Sequence, residues 1–124
     1  GLIDAPVGGV QGDRAAAGAL LSALAPRGLG LVTWDRGLNS AAQIARREAM
    51  PAAVVFRDLD GADENTPTIR RYLDRAAFRA AQEGRVVVAG RLRAETVAAI
   101  VAWALEPRAA TVALAPVSAI FALP

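Results

Sequence analysis

Arg85-Val86-Val87-Val88-Ala89-Gly90-Arg91-Leu92-Arg93-Ala94-Glu95-Thr96 is the stretch on which the fold turns. Three consecutive valines after a helix-ending Gly84 read as a strand buried on both faces, and Gly90 with the polar residues after it releases the chain into a helix. This is half of a βαβ unit. Residues just past each such strand, Arg91 among them, are expected to gather at the edge where α/β proteins place their sites.

The same grammar extends outward in both directions. Upstream, Thr66-Pro67 predicts a helix start, with Thr66 as N-cap and Pro67 at the first helical position. That helix runs to Gly84 and buries Ile69, Leu73, Ala76 and Ala80, with Arg70, Arg71, Asp74, Arg75 and Arg79 on the other side. Phe78 falls about 180° from Ile69 at 100° per residue, so it sits among the charges. It is either a lone exposed aromatic or one contact with something outside the chain.

Before that helix, Ala52–Phe56 reads as a strand that leaves through Arg57-Asp58-Leu59-Asp60-Gly61-Ala62-Asp63-Glu64-Asn65, the densest acidic span of the protein. Part of a calcium loop is visible there, yet the spacing lacks the fifth and last ligands of an EF-hand. An exposed, solvated turn is the stronger reading. Earlier still, Leu29–Trp34 reads as a buried strand followed by the polar loop Asp35-Arg36-Gly37-Leu38-Asn39-Ser40. The next helix, capped by Asn39 or Ser40, buries Ala41, Ile44 and Ala45. Asp13 is the expected N-cap of the first helix, whose Ala17, Leu20, Leu21 and Leu24 form one apolar face ended by Pro26 and Gly28. Gly1 to Val10 opens the chain as a strand or the frayed end of one. Its Gly9-Val10-Gln11-Gly12 does not satisfy a dinucleotide-binding pattern.

Downstream, Val97, Ile100, Val101, Ala104 and Leu105 predict a helical stripe stopped by Pro107, and Ala110–Leu114 predicts a last strand. One strand-helix pair recurs about every 25 to 30 residues, as in βαβ repeats. The expected architecture is a single α/β domain over residues 1–124, with a parallel sheet of about five strands alternating with helices.

Composition narrows the chemistry. The 124 residues suit one domain with a core of Ala, Val, Leu and Ile, since 54% are hydrophobic and only 5% aromatic. All 14 cations are arginines and 12 acids nearly balance them, so the high isoelectric point reflects arginine rather than a basic surface. No nucleic-acid partner is expected. The absence of lysine removes phosphate loops with an essential lysine, Schiff-base chemistry and receiver-type signalling. The absence of cysteine and histidine removes disulfides, thiol catalysis, imidazole ligands and the commonest general base. No run approaches the roughly 18 apolar residues of a membrane span. The chain opens on Gly1 rather than Met, so any targeting segment is expected outside it.

The order of short motifs resembles the C-terminal half of the divergent polysaccharide deacetylases. Those motifs are Gly30-Leu31-Val32-Thr33-Trp34-Asp35-Arg36, Ser40-Ala41-Ala42-Gln43-Ile44-Ala45, Phe56-Arg57-Asp58-Leu59-Asp60, Ile69-Arg70-Arg71-Tyr72-Leu73, Ala89-Gly90-Arg91-Leu92-Arg93-Ala94-Glu95-Thr96 and Pro116-Val117-Ser118-Ala119. The resemblance implies part of a deformed (β/α) barrel, with metal-binding Asp and His residues mostly in an N-terminal half outside this chain. It also implies a cell-envelope or periplasmic setting. Two departures stand out. An Asn-Asn-His-Met-Gly-Ser stretch of the family should fall between Val10 and Asp13, where only Gln11 and Gly12 stand, and its Gly-His-Pro is Gly90-Arg91-Leu92. A deacetylase of this type needs a metal-activated water and a base.

Two readings of function follow. One is a catalytically degenerate member with no catalytic residue, metal or cofactor of its own, which binds a polysaccharide or an envelope protein. The other is part of an active metal-dependent deacetylase whose ligands lie elsewhere. A flavodoxin-like nucleotide module fails on the missing phosphate loop. The expected binding residues are Asp35, Arg36 and Asn39 after one strand, Arg57, Asp58 and Asp60 after the next, and Arg91 after the central one, with Arg93 on the same edge. Arginine forks and carboxylates suit a glycan or an acidic segment. The plainer alternative is a salt-bridged rim in which Arg91 pairs with Asp35 or Asp58. An open sheet edge also favours self-association as a homo-oligomer.

Overall fold

Every residue of Leu31–Trp34 (β2) is buried, because this strand lies at the centre of a sheet with a parallel neighbour on each side. The computed structural model describes residues 1–121. Leu2–Ile3 (β1) pairs with β2 through Leu2↔Leu31 and Ile3↔Val32, and Ala52–Val55 (β3) pairs through Leu31↔Ala52 to Trp34↔Val55. The chain divides into two compact units, the first comprising Gly1–Val55 and the segment from Val117, the second Phe56–Pro116.

In the first unit the helix Arg14–Leu24 (α1) is capped as its sequence predicts, with the Asp13 carboxylate accepting from Ala16 N at 3.0 Å. Asn39 caps Ser40–Arg47 (α2) in the same way, accepting from Ala42 N at 2.9 Å. The apolar faces meet as expected. Ala17, Leu21 and Leu24 of α1 and Ala41, Ile44 and Ala45 of α2 pack with Leu31 in one core. Each buried leucine or isoleucine there contributes about 1.5–3 kcal/mol. A short helix, Ser118–Phe121 (α5), completes the described chain.

The second unit holds Arg57–Asp58 (β4) beside Val88–Ala89 (β5), again parallel, with Arg57↔Val88 and Asp58↔Ala89 in register. Between them runs Thr66–Glu83 (α3), ended by Gly84 at φ 84°, a left-handed turn that glycine takes without strain. Its N-cap is Asn65, whose side chain accepts from Thr68 N at 3.1 Å. This corrects the expected cap by one residue. Thr66 instead directs its N–H and hydroxyl to Glu95, at 3.0 and 3.4 Å. Ile69, Leu73, Leu59, Ala99, Trp103 and Ala109 form the core of this unit.

A helix connects each pair of neighbouring strands and every pairing among the described residues is parallel, as the periodicity predicts, but three expectations need correction. The strands form a three-stranded and a two-stranded sheet, not one of five. An apolar run marks Ala52–Phe56 as extended, yet says nothing about which edge each residue offers. Ladder partners change across Phe56, whose N–H already donates to Val87 O at 2.8 Å. Second, Val86 to Ala89 is half-buried rather than enclosed on both faces. Third, Ala110–Leu114 is no strand. Pro107–Thr111 winds into a 3₁₀ turn that buries Ala109, and Leu114 beyond it is 60% exposed.

The helix Ala94–Ala104 (α4) is also rotated from its predicted face. Thr96, Ala99 and Trp103 are buried, whereas Val97, Val101 and Leu105 are exposed. A helix this poor in polar residues has no face marked by hydropathy. The bulk of Trp103 and the hydroxyl of Thr96 decide which side turns inward. Among the described residues no helix is long and apolar enough to cross a membrane.

Candidate functional site

Two polar networks sit just beyond the strand ends, one in each unit. In the first, the chain leaves β1 at Asp4 and doubles back. The Asp4 carboxylate accepts from Ala5 N at 2.8 Å, Val10 N at 3.1 Å and Gln11 N at 2.8 Å, which folds residues 4–11 into a tight loop. This delivers Gln11, 1% exposed, to the end of β2. Its Nε2 donates to Trp34 O at 2.8 Å and Arg36 O at 3.0 Å, and its Oε1 accepts from Trp34 N at 2.7 Å. The side-chain amide thus takes the rung that a next β1 residue would have supplied, since β1 turns away at Ala5-Pro6. Trp34 closes the network by donating Nε1–H to Asp4 O at 2.7 Å.

The expected residues of this unit are used differently. Asn39 is structural, donating to Thr33 Oγ1 at 2.8 Å while it caps α2. Arg36 lends its carbonyl to Gln11, and its side chain is exposed. Asp35 is exposed, and its backbone N–H donates to Val55 O at 3.0 Å. Of the three, only the side chains of Asp35 and Arg36 are free to meet a ligand.

In the second unit, Asp60 is the hub. It is 0% exposed, placed by the turn after β4, while Gly90 after β5 brings Arg91 over it. Arg91 N donates to its two carboxylate oxygens at 3.1 and 2.8 Å, and Thr96 Oγ1 donates to Oδ2 at 2.7 Å. The guanidiniums of Arg91 and Arg93 lie 3.6 and 3.9 Å away. Arg91 Nη2 also donates to Asp60 O at 2.6 Å and to the Asp63 carboxylate at 2.5 Å. Within its unit Arg91 therefore pairs with Asp60 and Asp63, not with Asp58. Asp58 accepts weakly from Asp60 N at 3.3 Å, and its carboxylate occupies the space a Cβ on Gly61 would need. Arg57 stacks on the Tyr72 ring, 3.8 Å from its centroid.

These contacts set the charges. Burial pushes the Asp60 carboxyl up, but the Thr96 hydroxyl, the Arg91 N–H and the two guanidiniums outweigh it and hold the group below the usual carboxylate range. The hydrogen bond and charge of Arg91 lower Asp63 in turn, and Asp63 raises Arg91. Depressed folded-state values mean that this stabilisation is complete above the ordinary carboxylate pKa of about 4 and is lost as pH falls below it. A melting temperature flat from pH 7 to about pH 5 and falling below pH 4 is expected, with a shallower fall in Asp60→Asn. Equal acid sensitivity in both proteins would show that Asp60 carries none of it.

A metal ion does not fit this edge. The Asp60 oxygens already accept from Arg91 N and Thr96 Oγ1, and the Arg91 cation lies against both Asp60 and Asp63 where a second cation would be repelled. Among the described residues no three carboxylates gather as a ligand set.

Parallel strands, alternating helices and polar residues at the strand ends define an α/β domain of the kind that carries its site at that edge. The chain belongs to the divergent polysaccharide deacetylase family, whose sequence profile matches residues 1–121. A solved structure of an uncharacterized protein from Agrobacterium tumefaciens shares the fold with a TM-score of 0.84 at 24% identity. The match covers 97% of this chain and 49% of that one, so the chain spans about half the length of this relative. No curated protein matches the sequence.

Sequence reasoning picks out Asp60, Arg91 and Arg93 at this edge and places Asp63 in the same acidic span, but it misses Thr96, and it misses Asp4 and Gln11 altogether. Thr96 carries a signal in retrospect. It is a hydroxyl one turn into a helix that follows the central strand, within reach of any carboxylate at that edge.

Proposed function

We propose that this chain is a divergent polysaccharide deacetylase domain segment that performs no acid–base or metal chemistry of its own and binds polysaccharide or an envelope protein partner. The state of Asp60 carries the reading. A carboxylate that is buried, ionised, hydrogen-bonded by Thr96 Oγ1 and Arg91 N and flanked by the guanidiniums of Arg91 and Arg93 is poorly placed to take a metal or a proton in transit. What the edge still presents is mixed charge, with Asp58, Asp63, Arg91 and Glu95 partly or fully exposed. Guanidinium donors beside carboxylate acceptors suit the hydroxyls and carboxylates of a glycan. An extracytoplasmic, periplasmic or envelope location follows from that ligand class.

The test has two arms. Incubated with N-acetylated chitooligosaccharide, the chain is expected to release no acetate above a protein-free control; stoichiometric turnover would overturn the reading. In the second arm, Arg91→Ala is expected to fold with little change in stability, because its guanidinium is over half exposed and its backbone N–H still serves Asp60. Binding to soluble peptidoglycan fragments should weaken. Unchanged binding by a folded Arg91→Ala would remove this edge from the function.

One observation favours a second reading, that the chain is part of an active deacetylase: the solved structure sharing its fold is about twice as long. On that reading the metal and base come from residues outside these 124 and the present edge only orients substrate. A longer polypeptide containing this chain would then release acetate, and Arg91→Ala would raise KM while leaving kcat near its original value.

A further inference from the structure

Phe78 lies on the charged side of α3 and is 68% exposed, the only phenylalanine among the described residues to stand so far into solvent. It is not isolated. With Phe56, Asp74, Arg75, Arg79 and Gln82 it lines an open groove of about 440 Å³, within the size range of small-molecule sites. The groove's lining is mainly apolar, with three charged side chains among its residues.

The charged groups are not equivalent. Asp74 is already held, accepting from Trp103 Nε1 at 2.9 Å and from Arg108 Nη1 at 2.7 Å. Arg79 stacks over the Phe56 ring at 4.8 Å and pairs with Glu83 at 3.0 Å. Among the described residues Arg75 has no carboxylate partner, and it is exposed. The groove therefore offers one uncommitted guanidinium and one amide, Gln82, beside a bare aromatic face.

We infer that this groove is a binding subsite for a carboxylated sugar unit of a glycan. The inference rests on the glycan-binding reading above and places a second point of contact on α3. The negative face of Phe78 attracts the weakly positive C–H groups of a pyranose ring laid flat on it. Arg75 then presents its planar fork to the sugar carboxylate, a bidentate pairing that a neutral sugar cannot make. Gln82 supplies a donor and an acceptor for hydroxyls. Charge complementarity selects the occupant: Asp74 is neutralised by Arg108 and Arg79 by Glu83, which leaves Arg75 as the lining charge that an anion would meet.

Trp103 gives the site a reporter, since its indole N–H is bonded to Asp74 at the groove wall. In a Trp34→Phe background, Trp103 fluorescence titrated with an N-acetylmuramic-acid-containing disaccharide is expected to shift, and with neutral chitobiose to shift at about ten-fold higher concentration. Phe78→Ala should weaken both sugars about ten-fold. Arg75→Gln should weaken only the carboxylated one and so abolish the preference. Both positions are exposed, so both variants are expected to melt as the parent does. Binding by the parent with no effect of either substitution would overturn the groove and leave the Arg91 edge standing. No binding of either sugar by the parent would overturn the glycan reading itself, and the groove with it.

Discussion

Replacement of Asp60 by alanine is expected to destabilise the protein by about 3 kcal/mol, the largest loss among single changes at the candidate edge. Two donors lose their acceptor at once. Thr96 Oγ1, in a residue only 1% exposed, loses the acceptor of its proton and keeps only the long contact from Arg93 Nη1 at 3.4 Å, and Arg91 N loses contacts at 2.8 and 3.1 Å. Each orphaned buried group costs about 1–3 kcal/mol. The guanidiniums add less, because Arg91 and Arg93 retain solvent contact and find water or Asp63 instead. Asp60→Asn keeps an acceptor for Thr96 and discards the charge, so about half the loss is expected. Urea unfolding followed by circular dichroism measures both. A loss below about 1 kcal/mol for Asp60→Ala would mean that the network is decoration on a turn held by other contacts.

Gln11→Ala is expected to cost a similar amount, about 2–4 kcal/mol, in the other unit. The amide occupies one rung of a ladder, so its removal strands Trp34 N–H at the end of β2, leaves Trp34 O with only the long contact from Asn39 Nδ2 at 3.4 Å, and frees Arg36 O. Gln11→Glu tests the hydrogen-bond direction separately. At neutral pH it would set an acceptor against the Trp34 and Arg36 carbonyls, and a loss at least as large is expected. Near-UV circular dichroism should report the change through Trp34, whose indole depends on the same loop through Asp4 O. A Gln11→Glu protein as stable as the parent would show that the amide is not the missing rung.

Much of the fold was legible because local rules and tertiary packing agree. Asp13 and Asn39 cap helices for reasons contained within three residues of each. Ala17, Leu21, Ile44, Ile69 and Leu73 repeat at helical spacing and are buried. Where the rules gave more than one answer, packing chose among them. Either face of α4 satisfies hydropathy, and Trp103 with Thr96 selected the one that was not expected. The segment after Pro107 has strand composition, yet the turn that buries Ala109 uses it first. Within the candidate site, Arg91 was identifiable from its place after a strand. Its pairing was not, because Asp60 stands 31 residues from Arg91 and 36 from Thr96 along the chain.

Residue order by itself determined that this protein is built of parallel strands and helices, that it has no imidazole, thiol or lysine chemistry, and to which family it belongs. Those properties depend on residue identity, spacing and neighbours along the chain. Tertiary structure alone decided that Asp60 is locked rather than open, that Gln11 stands in for a strand residue, and that Phe78 shares a groove with an uncommitted Arg75. Each of these is a question of which distant groups satisfy a buried donor, acceptor or charge. That choice is made by the pairing of strands and the rotation of helices, neither of which is encoded within a window of a few residues.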